Sequence, residues 1–262
     1  MERTFLMQYN TIHYEVQGEI GILTYNRPKS INAMNGEMVR ELMHFWRERE
    51  DDLSIKVIVT KGAGEKGFCS GMDLKEFSTR ENVPRKPDDF YCGQSFFSRL
   101  YRLMRACPQP IIAAIHGPAF GGGLSLALAS DIRIASEDAV FCAQYINIGV
   151  GGADMGSSYF LWRIVGSGKA AEMCLTGNRI AADEALRIGL VNYVLPRENL
   201  MNTAMEIAGN MASKSRIALH MTKEALNTAL NATSLEDTLK FEDRNQSFMT
   251  MGGMVNSQIK PG

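Results

Sequence analysis

The groups in this chain that could do chemistry are backbone groups first and side chains second. Two glycine-bearing stretches stand out, "FCSGMDLKEF" (68–77) and "HGPAFGGGLSLALASD" (116–131). In the second, Gly121, Gly122 and Gly123 precede small and apolar residues that read as a helix over 124–130. The start of a helix carries unsatisfied N–H groups and a partial positive charge. Glycines there let a polarised group touch the backbone. A phosphate fits such a place, and so does a carbonyl oxygen that becomes negative during reaction; tight packing of helix on strand would also use the glycines. A phosphate loop calls for Lys-Ser/Thr after the glycines and a dinucleotide fold for GxGxxG. Leu124 and Ser125 follow instead. The stretch 68–77 also follows a strand end, and Gly71–Met72 offers another exposed N–H. Two donors from separate strand ends can form an oxyanion hole, at roughly 2.7–3.1 Å from the developing charge.

Among the side chains, Asp154 lies on the glycine-rich loop of "GVGGADMGSSYFLWRIVG" (149–166), just before a helix at 157. It can cap that helix. Ser125 reads as a helix-start serine and Tyr145 as a partly buried tyrosine. Lys29 and Lys75 read as surface charges. His116 sits in the turn "HGPA" and reads as structural. The five cysteines are odd in number and never spaced CxxC, and the four histidines are scattered. No metal site is expected, and the thiols read as reduced, buried and cytoplasmic.

Residues 12–26 alternate as a two-stranded hairpin, and Asn35 caps a helix over 36–50. Segments 56–64, 110–117 and 131–136 read as strands, with the triple glycine and its helix between the last two. A helix over 169–177 ends on glycine, and 181–195 reads as helix, glycine stop and strand. The pattern is α/β to about residue 196 and purely helical from 197. This divides the chain into a core, 1–196, and a helical region, 197–262. Residues 78–98, with Pro84 and Pro87, read as a mobile loop. Its Phe90, Tyr91, Phe96 and Phe97 suit an apolar ligand or ordinary packing. A chain of 262 residues, 45% hydrophobic, can bury a large core. A net charge of −1 argues against nucleic acid, no run is long enough to span a bilayer, and no signal peptide opens the chain.

The two glycine stretches resemble the crotonase (enoyl-CoA hydratase/isomerase) superfamily. "RPKSINAMN" (27–35), "SSYFLWRIVG" (157–166) and "TGNRIAADEALRIGLVNYV" (176–194) match it too, in family order over almost the whole chain. The resemblance implies a spiral of ββα turns with a C-terminal helical region that assembles trimers, often paired into hexamers. It implies an acyl-CoA substrate, with coenzyme A as part of that substrate and no separate cofactor. The N–H groups of Met72 and Gly122 would hold the thioester oxygen, beside Ser70, Gly71, Gly121 and Ser125. Lys29 and Lys75 would lie near the CoA phosphates. The family's closing segments are not recognisable after the last helix, which is read to about Gln246.

The pattern breaks at the acid/base positions. Hydratases of the family carry two glutamates where this chain has Ser125 and Tyr145. Asp154 matches the position of a carboxylate in some double-bond isomerases and of the nucleophilic Asp of 4-chlorobenzoyl-CoA dehalogenases, on a loop one residue longer here. Moving a double bond needs one proton removed and returned, which one carboxylate can do, whereas hydration wants two groups. Dehalogenation wants a histidine from the segment before "PQP", and none lies between His44 and His116. An enoyl-CoA isomerase using Asp154 is therefore the leading expectation. A hydratase or hydrolase using Asp154 with Tyr145, a dehalogenase, and a non-catalytic acyl-CoA binder are the alternatives.

Overall fold

The computed structural model describes residues 9–77 and 86–251. The chain opens with the expected hairpin, β1 (Ile12–Gln17) and β2 (Ile20–Tyr25), antiparallel in a register that sets Ile12 opposite Tyr25. Helix α1 (Gly36–Glu48) follows, and the Asn35 side chain accepts the Met38 N–H at 2.9 Å, as the sequence predicts. Strand β3 (Val57–Gly62) leads to the short α2 (Leu74–Phe77), then α3 (Pro87–Ala106) and β4 (Ile111–Ile115). The chain continues through β5 (Pro118–Phe120), α4 (Gly122–Ala129), β6 (Ile132–Ser136) and β7 (Val140–Cys142). Next come α5 (Ser157–Val165), α6 (Ser167–Thr176), β8 (Ile180–Ala181), α7 (Ala182–Arg187) and β9 (Tyr193–Leu195). Helices α8 (Leu200–Ala212), α9 (Arg216–Ala229) and α10 (Leu235–Met251) close the described chain.

Two sheets form, one in the order β1-β2-β3-β4-β6-β9 and a smaller one in the order β5-β7-β8. From β2 onward the larger sheet is parallel. Its central strands are apolar on both faces, as a sheet covered on both sides requires. The chain spirals: β4 lies in the large sheet, β5 in the small one and α4 follows; then β6, β7 and α5 repeat the course. One face of the sheet packs with α1, α3, α4 and α5 in a core around Tyr25, Phe45, Trp46 and Phe68. The other face is covered by α8, whose Leu200, Ala204 and Ala208 meet Val57, Val59, Ile112 and Ile134. The helical region beyond residue 196 thus begins by packing on the sheet.

Two readings change. Residues 87–98 are the first turns of α3 and not a loop; residues 78–85 lie outside the described residues. Pro87 takes the first helical position, where its missing N–H costs nothing, and Asp88 and Asp89 complement the helix dipole. A polar, proline-marked stretch is also what a helix start looks like. The second change is that α4 begins at Gly122, two residues before the predicted start, so the middle glycine is its first helical residue. All eight residues of α4 are buried. Helix α9 is tied to this core by a buried charge cluster: Asp131 accepts from Arg105 at 2.7 Å, from Lys223 at 3.0 Å and from the Ile111 N–H at 2.8 Å.

Candidate active site

The first loop is fixed by the segment before α1. Asn32, fully buried at a left-handed φ of +54°, donates to the carbonyls of Ala63 and Gly67 and accepts the Arg27 N–H. Arg27 pairs with Asp73 at 2.9 Å. Met34 and Met72 bridge in parallel: the Met34 N–H donates to Gly71 O at 2.7 Å, and the Asp73 N–H to Met34 O at 2.9 Å. That alternation leaves the Met72 N–H pointing away, with no backbone acceptor among the described residues.

The second loop abuts the first. Phe120 N–H donates to Cys69 O, and Cys69 N–H to Pro118 O, both at 3.0 Å. Gly71 has φ +97° and Gly121 φ +49°, conformations that exclude most side chains. A Cβ on Gly71 would lie 2.7 Å from Phe120 O, and one on Gly123 would run into Cys69 O. A Cβ on Gly122 would lie 2.6 Å from the Met34 terminal methyl. The Gly122 N–H is one of the free donors at the start of α4. The glycines are therefore spent on bringing two backbones together with their N–H groups uncovered.

Both donors face a cavity of about 470 Å³. It is lined by Ser70, Gly71, Met72, Gly121 and Gly122 from these loops, by Tyr145 and Asp154, and by Gln94 and Phe97 from α3. Apolar side chains, Leu74, Ile148, Val150 and Met155, make much of the remaining wall. Asp154 is the sole acid among the described residues of the lining. Its Oδ1 accepts from Gln94 Nε2 at 2.5 Å and from the Met155 N–H at 2.6 Å. Its side chain does not cap α5, which has Gly156 at the cap position; the Asp154 N–H instead donates to Ser157 Oγ at 3.0 Å.

Ser125 and Tyr145 are brought together, their hydroxyls 2.8 Å apart. Ser125 is fully buried and lies outside the lining, so its expected contact with substrate is replaced by a contact with Tyr145. Burial pushes the Tyr145 phenol far above its ordinary value, with the Ser125 hydrogen bond opposing. Tyr145 is thus a neutral hydrogen-bonding group at physiological pH. Cys69, behind the first loop, is pushed up to about 12 by burial and is no nucleophile. His116 is structural: its Nε2–H donates to Gly64 O at 3.0 Å, and burial and then Arg197 lower its pKa. Lys29 and Lys75 stand exposed outside the lining, on the two segments that Ser70 joins through its N–H to Ile31 O. Of the four aromatic residues between 90 and 97, Phe97 reaches the cavity, whereas Phe90 and Tyr91 are exposed. Cys92 is exposed too, so one thiol departs from the expected burial. Gln94 escaped the sequence reading because its relation to Asp154 spans sixty residues and depends on α3 being a helix.

Residues 15–253 match the family model described as Enoyl-CoA hydratase/isomerase. The chain belongs to this family. It is 35% identical over 239 residues to a short-chain-enoyl-CoA hydratase of Clostridium acetobutylicum, covering 90% of this chain and 88% of the relative. An enoyl-CoA hydratase from Bacillus anthracis superposes with a TM-score of 0.84 at 30% identity, over 91% of this chain and 90% of that one. A monofunctional enoyl CoA isomerase from M. smegmatis does so with a TM-score of 0.72 at 33% identity, over 87% and 98%. As an enoyl-CoA hydratase/isomerase, the chain sets a serine–tyrosine pair where the resemblance places two glutamates in the hydratases. Among the described residues, no group of acids, histidines and cysteines could hold a metal ion.

Proposed function

We propose that this enzyme binds an enoyl-CoA and shifts its double bond, with Asp154 as the acid/base. The observation that carries the reading is that Asp154 is the one acid of the described cavity lining that also holds Met72 and Gly122. The thioester oxygen accepts the Met72 and Gly122 N–H groups, which stabilise negative charge on it. Asp154 Oδ2 takes a proton from the α-carbon of a 3-enoyl thioester. The electron pair delocalises onto the thioester oxygen as a dienolate, and the proton returns at the γ-carbon. Gln94 holds the carboxylate through Oδ1 during both transfers. The apolar wall excludes water that would compete for the dienolate. Lys29 and Lys75 serve the CoA phosphates.

Tyr145 supports a second reading. It lines the same cavity, so a hydration in which Tyr145 orients water and Asp154 moves the proton uses the same walls. Asp154→Asn keeps the size of the side chain and cannot accept the proton. In D₂O, we expect this variant to bind acyl-CoA and to lose deuterium exchange at the α- and γ-carbons, followed by NMR. Undiminished exchange would overturn the role of Asp154. Water adding across the double bond in the wild-type product would select hydration. Tight binding without exchange or product in the wild type would identify a binding protein.

A further inference from the structure

A second cavity, of about 570 Å³ and mostly apolar, lies between α3, α5 and α9. Ser98, Tyr101, Phe160 and Leu230 are among its walls. Met155 lines both this cavity and the one that holds Asp154. It follows Asp154 directly, is 5% exposed, and holds a left-handed φ of +50°, unusual for a residue with a long side chain. Its sulfur lies 3.2 Å from the Tyr101 hydroxyl, which also donates to Gly122 O at 3.1 Å. Burial keeps that phenol protonated well beyond neutral pH. Met155 and Tyr101 thus form a partition, and Tyr101 is anchored to the peptide unit on the far side of Gly122. Tyr101 is stiff and pinned, while Met155 is an unbranched chain with several rotatable bonds.

We propose that Met155 sets the length of acyl chain the enzyme accepts, by closing the first cavity against the second. The inference rests on an acyl chain occupying the first cavity, as in the function proposed above. A short acyl tail ends against the Met155 side chain. A long one needs the space between α3, α5 and α9, and reaches it only when the methionine is removed or swung aside. The ligand class of the second cavity is accordingly the saturated tail of a medium or long acyl thioester. Its wall offers that tail Phe160 and Leu230, and also carries the polar side chains of Arg102, Arg105, Asn227 and Asn231.

The test compares hexanoyl- and dodecanoyl-CoA binding by calorimetry in the wild type and Met155→Ala, alongside turnover of the corresponding 3-enoyl-CoAs. We expect the wild type to prefer the short ligand and Met155→Ala to raise the dodecanoyl-to-hexanoyl affinity ratio about tenfold or more, the scale on which apolar pockets discriminate chain length. Adding Leu230→Trp to Met155→Ala refills the second cavity and should abolish that gain, while Leu230→Trp alone leaves the short-chain ratio unchanged. If Met155→Ala does not fold, Met155→Gly opens the same partition with a residue suited to the positive φ. An unchanged ratio in the folded opened variant, or a gain that survives Leu230→Trp, overturns the proposal. The affinity arm does not need turnover: a shifted ratio with no isomerisation in any variant upholds the partition and rejects the reaction instead.

Discussion

At the scale of single residues, the site divides its work between peptide groups and side chains. Gly122 shows the demands on one position: it must leave its N–H open, and any side chain would press on Met34, Tyr101 and Met155. Gly122→Pro deletes the donor at a helix position where proline is otherwise accepted. We expect kcat/KM to fall about 10²–10³-fold, the cost of losing one oxyanion donor. Circular dichroism on the same sample checks that α4 persists; full activity in a folded variant would remove Gly122 from the anion hole. That the glycines and Met72 share one cavity lining was legible in the glycine runs, and that Asp154 joins them was legible through the position it matches in the resemblance. The Ser125–Tyr145 pair was named residue by residue, yet its mutual hydrogen bond was not, since one residue lies on a helix and the other just beyond a strand.

Among the elements, α3 shows where a reading from sequence loses its grip. Its first turns are polar, carry a proline and follow a second one, and local chemistry cannot separate a loop from a capped helix start there. Only its later residues, Leu100, Tyr101 and Met104, are buried enough to betray helical spacing. The hairpin, α1 and the parallel strands were legible because their apolar periods are set by burial. Charge also fastens elements: Asp131 joins α3, β4 and α9. Burial raises its pKa, but Lys223 and Arg105 outweigh this and hold it below the model-peptide value of 3.8. Because the native state binds the proton less readily than the unfolded chain, the resulting stability is present above that value. It is lost as pH falls below it, through the native pKa. Asp131→Asn should cost about 3 kcal/mol near neutral pH, since it leaves the Lys223 ammonium, 4% exposed, with the Gln109 carbonyl but without its counter-charge. The same variant should flatten the acid limb of stability against pH. Urea unfolding across pH 2–7 reads both effects, and an unchanged acid limb would show that another carboxylate governs it.

Considered as a whole, the molecule is unevenly covered. The sheet is packed on both faces, yet α10 buries no residue and meets α9 alone among the strongly contacted elements. Leu235, Leu239, Phe248 and Met251 remain exposed along it. Patches of this kind mark interfaces. We expect sedimentation to find a trimer or hexamer, as the resemblance implies, with Leu239→Glu and Phe248→Glu together shifting it toward smaller species. A monomer at all concentrations would leave α10 without that role. The oligomer was expected from resemblance alone, because composition and charge carry no record of what covers a helix.

The close approach of the two loops has a consequence for how the site can change. In the proposed function the groups that polarise the thioester are main-chain N–H groups, on loops that Gly71 and Gly123 bring against the carbonyls of Phe120 and Cys69. A point substitution at Met72 alters the side chain and leaves its N–H in place. The group that would move the proton in the proposed function is an ordinary side chain, Asp154, with Tyr145 beside it in the lining. In that reading, activation of the thioester does not depend on the side chain at Met72, whereas the choice of reaction depends on the side chain at Asp154. On the proposed function, a serine and a tyrosine can stand where hydratases of the family carry glutamates, with the proton handled from another loop, while the acyl thioester keeps the same two N–H partners.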